Sequence, residues 1–339
     1  MTTERVDVIA TTVSGSIHDW KKIERIQPLF SKFGLKNVIL HVVESHGEAR
    51  ARTQEVIRSG GRIPISAGGS GTFKNVLEGI IDSGVALAEI RLGFLRKGSA
   101  DLIGKVLNMP DDIEAAARVF AESIRSNSTL PCDVLRAESM AGDIQPQHFV
   151  GYGGVELFGR IPHFTENRFM KWYKGILGQL FGDLGPFTTG MILALGERFL
   201  KAPFGKRVTW NIRVDGADIP PDRYHALIVV NGYLGPELPF SPDPLGSGRF
   251  HLFALRDLGL WQLLHQARLT RSGAIMKDPL RWGLKHFTAQ QMLELTPSSS
   301  DAFPANVDGS TLECRQALRI SRVDRIRLIS NQAEGNLTT

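Results

Sequence analysis

The sequence predicts an N-terminal α/β domain with a doubly wound parallel sheet, followed by a mostly antiparallel, β-sandwich-like C-terminal domain. Residues 1–130 alternate between strand and helix patterns, which is typical of a parallel sheet with helices on both faces. After Asn127 strand patterns dominate, and hairpin dipeptides such as Asp215-Gly216 and Asp308-Gly309 separate them. With 339 residues, of which 42% are hydrophobic, the chain is long enough for two domains with separate cores.

The domain boundaries follow from this change of pattern. We place the first domain at residues 1–130 and expect a strand within residues 321–335 to return to it. The second domain is placed at residues 131–320. Two helical segments, at residues 166–200 and 258–269, are expected to interrupt its strands, because both carry apolar residues at helical spacing.

The elements of the first domain follow from apolar periodicity and from end signals. Apolar runs predict its strands, at residues 6–10, 37–43, 62–67 and 85–92. Apolar residues three and four positions apart predict its helices, at residues 20–33, 48–59, 72–81 and 111–126. Gly34 ends the first of these helices, and Thr72 is the predicted N-cap of the third.

Strand patterns define the second domain. They predict strands at residues 134–138, 208–214, 224–231, 250–255, 291–296 and 312–320. A further strand at residues 325–329 is expected to return the chain to the first domain.

Composition and charge limit the function classes. The net charge of +5 is mildly basic, and no run of Lys or Arg resembles a nucleic-acid-binding arm, so we expect no nucleic-acid partner. The two cysteines, Cys132 and Cys314, are far apart and form no CxxC pair, which is typical of a reduced, cytoplasmic protein. No apolar run is long enough to span a bilayer, so any membrane contact is expected to be peripheral.

The stretch Gly68-Gly69-Ser70-Gly71-Thr72 is the clearest functional signal, because it lies where a strand ends and a helix begins. Glycines allow a tight turn and a close approach of an anion, and the helix start offers free N–H groups to it. The stretch predicts a polyphosphate site. It lacks the Lys of a Walker loop and the third glycine of a dinucleotide fingerprint. It also lacks the final glycine of a hydrolase nucleophile elbow.

Five segments, by their order and spacing, resemble the diacylglycerol-kinase catalytic-domain family of lipid kinases, which includes sphingosine, ceramide and bacterial lipid kinases. The residues that carry this resemblance are Thr11-Thr12-Val13-Ser14-Gly15, Gly68-Gly69-Ser70-Gly71-Thr72, Arg91-Leu92-Gly93 with Lys97-Gly98-Ser99-Ala100-Asp101, Val229-Val230-Asn231-Gly232 with Ser241-Pro242-Asp243-Pro244, and Asp308-Gly309. They are similar to the family's NPxSG, GGDGT, PLGTGND, N…G…PxA and DGE motifs. NAD kinases and phosphofructokinases have a similar glycine-rich loop.

The resemblance implies a phosphofructokinase-like nucleotide-binding domain and a β-rich domain that helps to bind a lipid substrate. ATP would bind in the cleft between them with Mg²⁺, and its γ-phosphate would be transferred to a lipid hydroxyl of the diacylglycerol or sphingoid type. The nucleotide-binding residues carried over from the family are Thr11, Ser14, Gly15, Gly68, Gly69, Gly71, Thr72, Lys97, Gly98 and Ser99. A homodimer is compatible with the resemblance.

Three positions depart from the family in the same direction. The aspartate of GGDGT is Ser70, the glutamate of DGE is Ser310, and Ser247 aligns with an aspartate near the PxA segment. A carboxylate can accept the substrate proton or hold Mg²⁺, whereas a serine hydroxyl does neither well at neutral pH.

The candidate catalytic residues are therefore Ser70, Asp308 and Asp101, with Glu156 and Asp243 as further acids. The three serines leave an alternative open, in which the protein binds nucleotide or lipid without turnover. A soluble phosphate acceptor, as in NAD kinase, is a third possibility.

Aromatic and basic residues are interleaved in residues 169–204, which makes this segment the predicted lipid contact. A helix packed on its own sheet would show a similar pattern, and the sequence does not separate the two interpretations.

Overall fold

The computed structural model describes residues 4–12, 23–96, 102–166, 193–194, 196–197, 208–235, 241–271 and 274–331. The chain divides into two compact units. Unit 1 comprises Met1–Val134 and Asp324–Thr339, and unit 2 comprises Leu135–Val323.

Unit 1 alternates strands and helices. Its strands are β1 (Val6–Thr11), β2 (Val38–Val43), β3 (Pro64–Gly68) and β4 (Arg91–Arg96). Its helices are α1 (Ile26–Lys32), α2 (His46–Arg58), α3 (Ser70–Asp82), α4 (Leu102–Val106) and α5 (Ile113–Ser126), with a 3₁₀ turn at Leu87–Glu89.

The strands of unit 1 form a parallel sheet in the order β2-β1-β3-β4. The last residues of the chain's final strand extend it, because Arg327 and Leu328 pair in parallel with Arg91 and Leu92 of β4. Every residue of β1 and β3 is buried, as expected for parallel strands that are covered on both faces. The predicted α/β fold class is confirmed.

Two local predictions for unit 1 are wrong. Thr72 is not a helix cap, because α3 already begins at Ser70 and its N-cap is Gly69. The fourth strand begins at Arg91 rather than near residue 85, because a 3₁₀ turn occupies Leu87–Glu89. In both cases the apolar pattern gave the element correctly and its boundary incorrectly.

Unit 2 contains most of the antiparallel strands. They are β5 (Thr129–Ser139), which begins in unit 1, β6 (Gln147–Phe149), β7 (Tyr152–Glu156), β8 (Trp210–Val214), β9 (Ala217–Asp222), β10 (Tyr224–Val230), β11 (Phe250–Arg256), β12 (Leu284–Ala289), β13 (Met292–Pro297), β14 (Phe303–Val307), β15 (Ser310–Cys314) and β16 (Leu318–Ile329), which ends in unit 1. Helices α6 (Leu157–Glu166) and α7 (Leu260–Arg271) and a 3₁₀ turn at Ala274–Lys277 interrupt them.

One sheet of unit 2 has six antiparallel strands in the order β12-β11-β10-β7-β14-β15. In the other sheet β13 pairs with both β16 and β8, β8 pairs with β9, and β5 pairs with β6. Side chains from both sheets, among them Trp210, Phe250 and Leu293, form one buried core. This arrangement confirms the predicted β-sandwich-like class.

The second unit also differs from the sequence-based prediction. The single strand expected at residues 312–320 is two strands, because Gln316 has φ 64° and separates β15 from β16. Strands β6, β7, β9, β12 and β14 were not predicted. The helix expected at residues 258–269 lies at Leu260–Arg271. Most of the segment 166–200 lies outside the described residues.

Within the part of the chain that the structure describes, no helix is long and apolar enough to cross a membrane.

Candidate functional site

The glycine loop of unit 1 connects the end of β3 to the start of α3. Gly68 is the last residue of β3, and Gly69, the N-cap, makes no side-chain cap hydrogen bond. The first N–H groups of a helix have no intrahelical acceptor, and a Ser, Thr or Asp cap normally satisfies one of them. At α3 these groups, in Ser70 and Gly71, are available to an anion instead.

Close packing fixes the shape of this loop. A Cβ on Gly68 would overlap Thr72 Oγ1 and would lie 2.7 Å from Thr72 Cβ, so no side chain fits there. The Oγ1 atoms of Thr72 and Thr11, both fully buried, lie 2.9 Å apart in a hydrogen bond. The loop is therefore tied to the end of β1, and Thr11 contributes to its position from the other side.

A second helix begins beside the loop. Helix α2 starts at His46 after the N-cap Ser45, whose hydroxyl accepts a hydrogen bond from Glu48 N at 3.0 Å. Helices α2 and α3 pack too closely for a side chain at Gly79, where a Cβ would overlap Arg50 O. Because α2 follows β2 and α3 follows β3, both helices begin at the same edge of the parallel sheet.

His46 lies directly against the glycine loop. A Cβ on Gly71 would lie 2.8 Å from His46 Cε1 and 3.1 Å from Nε2. The Nε2 atom is buried and has no hydrogen-bond partner among the described residues. Burial, and secondarily the positive charge of Lys74, lower the pKa of His46. The sequence does not single out His46, because nothing in its local pattern places it next to a loop that begins 22 positions later.

A second group of loops lies in unit 2, and we call residues 150–152, 231–235, 241–248 and 306–309 the unit 2 loop cluster. Asp308 accepts hydrogen bonds from the N–H groups of Val150 (3.0 Å), Gly151 (3.3 Å) and Tyr152 (2.8 Å). Asn231, which is fully buried, donates from Nδ2 to Val150 O at 2.8 Å and from its backbone N to Gly151 O at 2.9 Å. Two segments similar to family motifs are thus joined through the turn at residues 150–152.

Asp243 lies in the same cluster and is held by Tyr233, by Arg249 and by His251 of β11. The backbone N of Tyr233 donates to Asp243 O at 2.7 Å. The Asp243 carboxylate accepts a hydrogen bond from Arg249 Nη2 at 2.9 Å and lies 3.1 Å from Nε2 of the buried His251. His251 Nδ1 is in turn 3.0 Å from His286 Nε2. Burial is the main cause that lowers the pKa of both histidines.

The remaining predicted residues fall into two groups. Ser70 is exposed at the start of α3, Ser310 begins β15, and the Ser247 hydroxyl bonds to the backbone of Arg249. Glu156 accepts a hydrogen bond from Trp210 Nε1 at 2.8 Å. The other predicted positions lie outside the described residues: Ser14, Gly15, Lys97, Gly98, Ser99 and Asp101. Within the described ranges, no three His, Cys, Asp or Glu side chains form a group that could hold a metal ion.

The comparisons with known proteins agree with the resemblance seen in the sequence. Residues 5–137 match the family model "Diacylglycerol kinase catalytic domain". A curated diacylglycerol kinase of Staphylococcus haemolyticus (strain JCSC1435) is 23% identical over 270 residues, which cover 79% of this chain and 71% of that protein. The predicted resemblance to this family is confirmed, and it supports a kinase.

Solved structures share the fold at low sequence identity. A crystal structure of a diacylglycerol kinase from Bacillus anthracis str. Sterne has a TM-score of 0.66 and 17% identity, over 98% of this chain and 99% of that one. An NAD kinase from Archaeoglobus fulgidus in complex with ATP has a TM-score of 0.50 and 11% identity, over 96% and 94% of the two chains. At these identities the likeness shows the fold alone.

Proposed function

We propose that this protein is an ATP-dependent lipid kinase that transfers the γ-phosphate of ATP to a lipid hydroxyl of the diacylglycerol or sphingoid type. The observation that supports it most strongly is the start of α3. There an uncapped helix follows Gly68 and Gly69, inside the segment that matches a kinase catalytic domain. The curated relative named as a diacylglycerol kinase supports a lipid as the acceptor.

In this proposal the loop binds the phosphates of ATP. The N–H groups of Ser70 and Gly71 donate to phosphate oxygens, and the absence of side chains at Gly68 and Gly69 allows the close approach. Thr72 holds the loop to Thr11 at the end of β1. The further contacts expected from Ser14, Gly15 and residues 97–99 stay predictions, as does the position of ATP between the two domains.

The reaction forms a bond from the lipid hydroxyl oxygen to the γ-phosphorus and breaks the bond from that phosphorus to the β–γ bridging oxygen. ADP leaves, and the hydroxyl proton passes to a base. The predicted acids are Asp308 and Asp101. Because the Asp308 carboxylate already accepts three backbone N–H groups, we favour Asp101 as the base.

Mg²⁺ is expected from the resemblance, and when bound it would neutralise charge on the β- and γ-phosphates. Such sites commonly use one or two carboxylates together with substrate phosphates, so they do not require a cage of three protein ligands. Positioning and charge neutralisation operate without a carboxylate at position 70.

A second candidate function is binding of nucleotide or lipid without turnover. It is favoured by Ser70, whose hydroxyl is exposed at the helix start where the family has a carboxylate. Loss of a general base typically lowers a rate by about 10²–10⁴-fold.

One experiment separates the two functions. Purified full-length protein is incubated with radiolabelled ATP, Mg²⁺ and lipid hydroxyl acceptors in detergent micelles, and ATP binding is measured in parallel by calorimetry. A phosphorylated lipid supports the kinase. ATP binding with no labelled product from any acceptor contradicts it and supports the second function. The Gly68→Ala variant is the control for binding at the loop.

A further inference from the structure

Exposed apolar side chains are concentrated in one segment of unit 2. Among the described residues, five of the nine large hydrophobic side chains that are exposed lie between residues 258 and 280. They are Leu258, Trp261, Leu264, Met276 and Leu280, and we call them the apolar ridge. Trp261 and Leu280 are 82% and 81% exposed, so neither is covered by the rest of unit 2.

Helix α7 has one face towards the protein and one face outwards. Leu263 and Gln266, three positions apart, are buried, and Gln266 Nε2 donates to Trp282 O at 2.8 Å and to Arg256 O at 3.2 Å. Trp261 and Leu264 lie on the exposed side, three positions apart. Because these contacts hold the inner face of α7 against the protein, its outer face stays exposed with Trp261 and Leu264 on it.

Contacts place Leu258, helix α7 and the loop that follows it next to one another. The Leu258 side chain lies against Gly283, where a Cβ would be 3.2 Å from Leu258 Cδ1. The His265 ring centroid is 4.6 Å from that of Trp282. The backbone N of Gly283 donates to Leu280 O at 3.1 Å, which holds the Leu280 turn beside these contacts.

Basic residues accompany the ridge. Arg268, Lys277 and Arg281 are exposed, and Arg281 lies over the Trp282 ring at 5.1 Å. Between residues 258 and 281 the sequence has four basic residues and one acid, Asp278; the basic residues are Arg268, Arg271, Lys277 and Arg281. Tryptophan and leucine side chains next to excess positive charge are typical of a surface that binds the interface of an anionic bilayer.

We propose that the apolar ridge docks the protein on the surface of an anionic lipid bilayer. Trp261, Leu280 and their neighbours enter the headgroup region, and Arg268, Lys277 and Arg281 contact the anionic headgroups. The choice of a bilayer over a protein partner rests in part on the proposed function, since a lipid kinase must reach acceptors that are held in a membrane. No residue of the ridge belongs to the segment 169–204, which the sequence predicts as the lipid contact.

The test measures binding of full-length protein to vesicles in the absence of ATP. Phosphatidylcholine vesicles are compared with vesicles that also contain phosphatidylserine, and bound protein is separated by flotation. We expect binding to the anionic vesicles that weakens with added salt. The double variant Trp261→Ala/Leu280→Ala should bind at least about tenfold more weakly, since two of the most exposed apolar side chains are lost.

Val323→Ala is the matched control, because Val323 is also exposed, at 45%, and lies outside the ridge. This control should bind as the wild type does, and all variants should unfold at the wild-type temperature. Equal binding to both vesicle types, or wild-type binding by the double variant, overturns the proposal. Self-association that the double variant abolishes, with no vesicle binding, also overturns it in favour of a second copy of the chain.

The design separates this proposal from the proposed kinase activity. Vesicle binding that depends on the ridge supports the proposal even if no lipid is phosphorylated. Phosphorylation of a short-chain acceptor in solution, with no ridge-dependent vesicle binding, overturns the proposal and leaves the kinase intact.

Discussion

The glycine loop of unit 1 and the unit 2 loop cluster both use backbone N–H groups at the ends of strands, but they treat them in opposite ways. In unit 1 the N-cap of α3 is a glycine, so no side chain of the cap accepts from the first turn. In unit 2 the Asp308 carboxylate accepts from three successive N–H groups. The N–H groups of the first arrangement can bind an external anion, whereas those of the second already bind the Asp308 carboxylate.

A second Asp-Gly turn shows what Asp308 does. Asp215, like Asp308, has a positive φ, and its carboxylate accepts from the N–H groups of residues 290–292 at 2.7–2.9 Å. Burial raises the pKa of Asp215, but these backbone hydrogen bonds outweigh it and lower the pKa overall. An Asp carboxylate that accepts hydrogen bonds from three successive backbone N–H groups thus occurs twice in unit 2. Only Asp308 lies in a segment similar to a family motif. This repetition favours a structural role for Asp308.

The largest effect is expected in the Ser70→Asp variant if no carboxylate acts as the base in the wild-type protein, as the second candidate function requires. Ser70 is exposed at the first turn of α3, so an aspartate there fits sterically and is favoured by the helix dipole. If a missing base limits turnover, lipid phosphorylation should rise by about 10²–10⁴-fold. Ser70→Asn is the matched control without charge. A measurable wild-type rate that Ser70→Asp leaves unchanged would instead agree with Asp101 as the base.

The next effect is loss of nucleotide binding in Gly68→Ala. The added Cβ would overlap Thr72 Oγ1, so the loop must move from its position against Thr11. Displacement of a positioned group by about 1 Å can cost about 10²-fold, and we expect a loss of this order in ATP affinity, measured by calorimetry. Gly47→Ala is the control, since nothing lies within 4 Å of its added Cβ. Wild-type ATP binding by Gly68→Ala would contradict the assignment of the loop.

Separate substitutions of Asp308 and Asp215 test the structural role of Asp308. Asp308→Ala and Asp215→Ala each leave three N–H groups without their acceptor, which should lower the free energy of unfolding by about 1–3 kcal/mol. Urea denaturation measures this for both. The larger loss is expected for Asp308, whose partners are partly buried while those of Asp215 are exposed. Abolished phosphorylation with an unchanged free energy of unfolding in Asp308→Ala would instead favour a catalytic Asp308.

The smallest effects concern pH. The pKa values of His46, His251 and His286 are lowered in the folded protein, so the unfolded chain binds more protons near its histidine pKa of about 6.5. Stability is therefore expected to be fully present above that pH and to fall as the pH decreases below it. Thermal unfolding at about pH 7.5 and pH 5.5 checks the sign. His46→Gln and His286→Gln should each reduce the difference.

The same histidines distinguish the two regions. ATP phosphates bound at the glycine loop should raise the pKa of His46, because they place negative charge beside its ring. The pKa of His286, in unit 2, should not change. NMR titration with and without ATP measures both, and a His46 pKa that is insensitive to ATP would place the nucleotide away from Gly71.

Local pattern was sufficient to predict most of the fold class. Strand and helix alternation predicted the parallel sheet, and β1 and β3 lie close to the predicted ranges. The ends of helices and strands were predicted less accurately than their existence. The start of α3 is an example, because its N-cap is set by the backbone conformation at Gly69 and not by the Thr72 side chain. Short strands such as β6 and β9 carry little periodicity, and they form because a neighbouring strand supplies the hydrogen bonds.

By itself the sequence determined the two fold types, the glycine loop and its place between a strand and a helix, since these depend on neighbours within a few residues. Only the tertiary structure decided that His46 lies against Gly71, that Asp308 holds a turn more than 150 positions earlier, and that Trp261 and Leu280 stay exposed. Such contacts depend on how distant segments pack. Chain packing sets which N–H groups find an internal acceptor and which apolar side chains are left on the surface.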